Sequence, residues 1–297
     1  MQKSGSLVAA GLVLPGSLLA DEKNKADEEQ PSRRYKIALC DWMILKRQKP
    51  GAFKRAAEIG VGGVEVDMGS LGSRITFDNQ LLDPVKRRHF KDEAAKYNLE
   101  ICSIAMSGFY AQSFAERETV PVMVRDTMNT MELMEVKTAF LPLGVKGDLV
   151  RHPELRPVIV DRLKQAGAMA EASGVVIGIE TALDAQGELK LLEHIGSPAI
   201  KSYFNFANPL QNGRDLLSEL RILGKDRIIQ IHCTDEDGVL LEHNKRLDMP
   251  KVRQTLDDMD WSGWLVLERS RDARNPGDVT GNYGANTRYL KHVFQKS

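Results

Sequence analysis

Eight short apolar runs, each followed by a stretch of helical spacing, predict an α/β chain built as a single (β/α)8 TIM barrel. Two further observations support this class. No break in composition interrupts the alternation after Tyr35, and a (β/α)8 barrel typically takes about 250 residues as one domain. A doubly wound sheet would need a glycine-rich phosphate turn after its first strand, and the segment that follows Asp41 (WMILKRQKPGAF) has none.

The elements follow in order. Residues 1–20 read as a signal peptide: Lys3 precedes an apolar, small-residue run from Ser6 to Ala20, and charge begins abruptly after it. Such a run is too short to cross a bilayer comfortably, so the expectation is an exported, periplasmic or secreted protein without a permanent membrane anchor. Residues 21–34 carry nine charged side chains and no apolar period. They read as a disordered, charged linker. The catalytic domain is expected over 35–297. Its strands are read as Lys36–Asp41, Gly63–Asp67, Glu100–Ala105, Thr138–Leu141, Val175–Glu180, Ile200–Asn205, Arg227–His232 and Trp264–Glu268, rich in Val, Ile and Leu as covered parallel strands should be. Helical spacing joins Leu155, Ile159, Leu163, Ala166 and Ala170, then Val252, Leu256 and Met259, and finally Asn286, Leu290, Val293 and Phe294.

Lys+Arg and Asp+Glu are each 41, so the formal net charge is zero and no nucleic-acid partner is expected. Cys40, Cys102 and Cys233 are odd in number and far apart, which reads as buried thiols rather than a disulfide framework. Met123, Met128, Met131 and Met134 have helical spacing and are expected to fill core.

The polar residues that end the later strands carry the functional signal. The fifth strand ends in Glu180, the sixth in Asn205 with Asn208 three residues on, the seventh in His232 and the eighth in Glu268. Carboxyl ends of barrel strands converge on one face, and neighbouring strands lie about 4.8 Å apart. Taken singly, each is also what a strand-end group satisfied by a loop would look like. At four successive strand ends they indicate one shared site. Two carboxylates there repel unless a cation or a proton lies between them. Carboxylate, imidazole and amide ligands suit one divalent ion, Mn, Mg, Co or Zn, without choosing among them. Cys233 follows His232 and should face the other way.

These patterns resemble the xylose isomerase-like TIM barrels of the sugar phosphate isomerase/epimerase family. The likeness runs from about Tyr35 to Phe294, through Gly-Val-Glu65, Ile-Gly-Ile-Glu180, Ser-Tyr-Phe-Asn205-Phe-Ala-Asn208, Gln-Ile-His232-Cys-Thr-Asp235 and Gly-Trp-Leu-Val-Leu-Glu268. The resemblance implies that Glu180, His232 and Glu268 bind the metal, with Asn205 where the family usually has Asp, and that Glu180 and Glu268 are the proton-transfer pair. Asn205 removes one negative charge, which implies weaker metal binding or a shift towards Asn208. The implied reaction is proton abstraction beside the carbonyl of a ketose or related carbohydrate, giving isomerisation or epimerisation. With a neighbouring leaving group the same apparatus would be a lyase or dehydratase on a keto-sugar or 3-keto-glycoside. A non-catalytic sugar-binding barrel with a decayed metal site is the remaining alternative. A homo-oligomer is expected by analogy alone.

Substrate contacts are assigned to Glu65, Asn208, Lys146, Arg269 and Trp42, the last through stacking on a sugar face. Asp67 alternates with Glu65, and Asp235 is expected to orient the region around His232. The other five histidines are read as surface or packing residues. Six histidines in all, most away from strand ends, argue against the multi-metal barrel nucleases.

Overall fold

The structure, a computed structural model, describes residues 34–295; the expected signal peptide and all of the linker but Arg34 lie outside the described residues. The strands are β1 (Tyr35–Cys40), β2 (Gly63–Asp67), β3 (Glu100–Ala105), β4 (Thr138–Pro142), β5 (Val176–Glu180), β6 (Ile200–Asn205), β7 (Ile228–His232) and β8 (Gly263–Leu267). They pair in sequence order into a closed barrel, all parallel. Closure removes both sheet edges, so no strand is left with unpaired backbone.

Boundaries differ from the sequence reading by a residue or two, and two differences matter. Asp41 is not the last residue of β1 but the first of a short helix, Asp41–Ile44, where its carboxylate accepts the Gln48 N–H at 2.9 Å. Glu268 lies one residue beyond β8, already in the loop. Arg34, read as linker, is tied to the barrel, donating from Nε to the Trp261 carbonyl at 2.9 Å.

The alternation of β1 shows how the core is divided. Tyr35, Ile37 and Leu39 face outward into the large apolar layer between strands and helices. Ala38 and Cys40 face inward, into a small interior cluster with Cys102, Ala105, Phe140, Tyr203 and Val266. Successive strand side chains take opposite faces, so β1 gives its large residues to the outer layer and its small ones to the narrow interior. Cys233 belongs to the outer layer, on the face opposite His232, and all three cysteines are free and buried. The four methionines lie buried in the helix Val120–Met134. The spaced residues of the later segments fall in Arg156–Ser173, Met249–Asp258 and Val279–Phe294, with Leu155 and Met259 just outside their ends.

Two bulges adjust the interior. On β2–β3 the register passes from Val64↔Ile101 to Glu65↔Ser103, and on β6–β7 from Ser202↔Ile228 to Tyr203↔Gln230. A bulge re-aims the side chains after it. Here it lets Cys102 and Ser103, although consecutive, both reach Gln230, at 3.7 and 3.0 Å.

Candidate functional site

His232, at the end of β7, organises the mouth. Its ring is fully buried and packed between Phe140 and Tyr203, with centroids 4.6 and 4.5 Å away. Nδ1 faces the mouth, 3.2 Å from Glu180 Oε2 and 3.5 Å from Glu268 Oε2. Nε2 faces down the barrel, 3.0 Å from Glu65 Oε1. One imidazole thus joins the open face to the sealed interior.

Asn205, paired in register with His232, bridges the two mouth carboxylates. Its Nδ2 donates to Glu180 Oε2 at 3.1 Å and to Glu268 Oε2 at 3.0 Å. Its Oδ1 accepts the Ala207 N–H at 2.9 Å. The two ends of the amide agree: turned over, it would set an NH2 against an N–H and an oxygen against two carboxylates. Asn208 is committed elsewhere, donating to the Thr181 carbonyl at 2.9 Å.

Below them Glu65 is fully buried and fully engaged. It accepts from Ser103 Oγ and Tyr203 Oη, both at 2.7 Å, besides facing His232, and Cys40 Sγ lies 3.4 Å away. Gln230 Nε2 closes the network on Ser103 and on the Tyr203 hydroxyl. The sequence reading gave Glu65 a substrate contact. The structure sets it beneath His232, with no exposed surface to offer.

Charge follows this geometry. Burial is the largest single influence on His232 and lowers its pKa, but Glu268, Glu65 and Glu180 together hold it well above the ordinary imidazole value. Burial pulls Glu65 upward, and His232 with the Ser103 and Tyr203 hydroxyls overcomes this and leaves it low. Glu268 is pushed up to about 7, by burial first and by Glu180 and Glu65, against the pull of His232. The two mouth carboxylates keep the most exposure, 13% of the side chain for Glu180 and 22% for Glu268. They are the groups a ligand can reach.

The donor set fits a divalent cation. Ligand atoms of Glu180, His232 and Glu268 all lie within 4.8 Å of one another, and two crowded carboxylates facing one imidazole nitrogen are what such an ion neutralises. Asn205 turns its NH2 towards that point, so the set is three ligands, with the fourth strand end acting as a donor to the carboxylates. Cys40, Glu65 and His232 also lie within 4.8 Å of one another. Glu65 Oε1 already takes the Cys40 thiol and faces His232 there, while Oε2 takes the two hydroxyls, so the group reads as the seat of the imidazole.

The remaining expected contacts spread around the rim. Trp42 lines a cavity beside the ends of β1 and β2. Lys146 and Arg269 are exposed, with no hydrogen bond or ion pair to the four central residues. Asp235 is taken by Arg246, at 2.5 and 3.0 Å, and by Asn244 at 2.8 Å. Ser103, Tyr203 and Gln230 were missed by the sequence reading. Their signal was present as two-residue alternation with site residues: Gln230 with His232, Tyr203 with Asn205.

Comparison with known proteins gives the family and the same fold. The profile of the family described as xylose isomerase-like TIM barrel matches residues 53–292. A 2-epi-5-epi-valiolone 7-phosphate 2-epimerase of Actinoplanes is 25% identical over 209 residues, 67% of this chain and 72% of that protein. Among solved structures, the D-psicose 3-epimerase of Clostridium cellulolyticum, crystallised with D-tagatose, superposes with a TM-score of 0.70 at 13% identity, covering 87% of this chain and 99% of that one. The 3-keto-D-glucoside 4-epimerase of E. coli in its apo form gives 0.69 at 14% identity, with coverage of 87% and 99%. At such identities the structural likeness is one of fold.

Proposed function

This chain belongs to the xylose isomerase-like TIM barrels, and on that footing we propose that it is a divalent-metal-dependent epimerase or isomerase of a ketose or related carbohydrate. The observation that carries the reading is the meeting of Glu180, His232 and Glu268 at one point of the mouth, with Asn205 bridging the two carboxylates. The sequence similarity to a 2-epi-5-epi-valiolone 7-phosphate 2-epimerase supports the same reaction class. Glu180, His232 and Glu268 would hold the metal, which when bound would stabilise negative charge developing on a substrate oxygen.

The chain's own residues do the rest. A carbon beside a carbonyl is a weak acid, so its proton must be taken by a base already in position. Glu180 and Glu268 are the most exposed groups of the cluster, and they approach from different strand ends. One removes the proton and the other returns it on the opposite side, which inverts the centre. Asn205 holds both carboxylates in register, and Glu65 holds the imidazole. With a leaving group beside the carbanion, the same pair gives elimination.

One observation favours a second reading, a sugar-binding barrel without turnover: Asn205 sets an NH2 donor between the two carboxylates, where an acid would have added an anionic ligand. Deuterium exchange separates the two. The protein is incubated with ketoses and 3-keto-glycosides in D2O with Mn or Co. Exchange at the carbon beside the carbonyl, abolished in Glu180→Gln and in Glu268→Gln, is the expected result. Exchange that survives both changes removes this pair from the mechanism, and no exchange with any sugar that binds supports the second reading.

We also propose that residues 1–20 direct export and that the expected linker, less the docked Arg34, forms a solvated tether to the barrel, as their composition supports. N-terminal sequencing of the exported protein checks it; Met1 retained on the mature chain removes the proposal.

A further inference from the structure

Beside the metal-binding cluster, on the same face of the barrel, the loops after β1 and β2 enclose a cavity of about 440 Å3. Its wall includes Trp42, Lys46, Arg47, Lys49, Gly69 and Asp78. None of the roles above uses its cations.

Arg47 is seated by its inner nitrogen. Nε lies 3.1 Å from the buried Asp67 carboxylate and donates to Ser107 Oγ at 3.2 Å. Neither Nη atom donates a hydrogen bond within the described residues, so the outer edge of the guanidinium is held still and left unused. A rigid guanidinium edge of this kind matches phosphate and carboxylate oxygens in pairs. Lys46 and Lys49 flank it, and neither has an ion-pair partner among the described residues. The one acid in the wall, Asp78, lies 3.8 Å from Arg74.

The segment that carries these cations is locked. Gln48, between Arg47 and Lys49, has φ 51°, a left-handed conformation unusual for a residue with a side chain. Three hydrogen bonds hold it there: its N–H to Asp41 at 2.9 Å, its Nε2 to Asn79 at 2.9 Å, and its Oε1 from the Gln80 N–H at 2.7 Å. Strain of this sort persists where surrounding contacts over-determine it, and it gathers at ligand clamps. Here the buried Gln48 anchors the segment between Arg47 and Lys49, which both line the cavity.

Position ties the cavity to the reaction centre. Glu65 and Asp67 share one face of β2, roughly 7 Å apart along the strand. Glu65 touches His232, so Asp67, with Arg47 on it, stands one layer nearer the opening. A sugar whose carbonyl carbon lies over Glu180 and Glu268 can extend an end substituent towards this side of the mouth.

We propose that Arg47, Lys46 and Lys49 form a subsite for an anionic substituent of the substrate, a phosphate ester or a carboxylate, so that the substrates are acidic sugars. The proposal rests on reading the mouth as a sugar site, and its test uses binding alone, so its outcome is separate from that of the exchange experiment. Affinities for fructose 6-phosphate, glucuronate and fructose are measured by calorimetry on the full-length protein at low ionic strength, where surface charge is least screened. At least one acidic sugar should bind ten-fold or more tightly than fructose, and which one does so tells phosphate from carboxylate. In Arg47→Ala, and separately in Lys46→Ala/Lys49→Ala, that preference should fall at least ten-fold while Mn affinity stays unchanged. The lysine pair leaves the Arg47–Asp67 contact in place, so it decides the matter even if Arg47→Ala does not fold. Equal binding of acidic and neutral sugars, or an acidic preference that survives the lysine changes, overturns the proposal.

Discussion

Asn205 has consequences that two substitutions expose. Its NH2 supplies a hydrogen bond to each of two crowded carboxylates. Asn205→Asp removes both donors and adds a third carboxylate, so with chelator present this variant should melt below wild type. With excess Mn or Co the order should narrow or reverse, since the added charge becomes a ligand. A denaturation series with and without metal reads both effects, and identical curves for the two proteins in chelator would count against the bridging role. Glu65→Gln tests the interior side. It leaves a buried imidazole without its partner, and breaking a buried pair of this kind costs roughly 3–5 kcal/mol. Loss of such a supporting contact weakens metal affinity by about 10–100-fold. Calorimetric metal titration and urea unfolding measure the two separately.

At the scale of elements, the loops after β4 and β5 carry their own signatures. Gly144 follows β4 with φ 47°, and a Cβ there would lie 2.3 Å from the Tyr110 carbonyl oxygen. Gly144→Ala should therefore destabilise the barrel by at least the roughly 1–3 kcal/mol of a strained backbone position. A change under half a kcal/mol in urea unfolding would mean the β3 and β4 loops are not packed as described. Glu188, in the helix Ala185–Ile195, is buried, accepts from Thr181 at 2.8 Å and leaves Oε1 without a hydrogen bond. Burial first, with Glu219 and Glu180, raises its pKa from 4.5 to about 7, against Ser202 and Thr181. A raised folded pKa means the folded state holds the proton more tightly. The stability this contributes is complete below about 4.5 and is lost as pH rises through 7. Glu188→Gln keeps the shape without the titration, so it should flatten this loss and exceed wild type at pH 8 by roughly 1–3 kcal/mol. Parallel pH profiles for the two proteins would exclude Glu188 as the source.

For the whole molecule, the proposed metal binding would be linked to barrel stability, because the three proposed ligands come from β5, β7 and the loop beyond β8. Unfolding the barrel disperses them. A cation at 100 times its Kd stabilises the folded state by about 2.7 kcal/mol, or about 5–10 °C for a domain of this size. Thermal melts with Mn or Co should show that shift, and Glu180→Gln should lose it.

The barrel itself was legible in the chain because strand and helix periods are local, and eight alternations leave few other ways to bury them. Glu180, His232 and Glu268 stood out for the same reason: each is a polar residue ending an apolar run. The boundaries near Asp41 and Glu268 were blurred, since whether a strand-end residue stays extended depends on what its side chain meets. What only the tertiary structure decided is direction and depth. Glu65 and Glu268 look alike in sequence, yet one is sealed under the imidazole and the other stands at the opening. The Asn205 amide turned its nitrogen to the carboxylates because the Ala207 N–H claimed its oxygen. Two bulges, invisible in composition, brought Ser103, Tyr203 and Gln230 under His232. Sequence patterns report which face of a strand a residue takes; hydrogen bonds between strands distant in the chain decide how far in it sits and which of its atoms are left free.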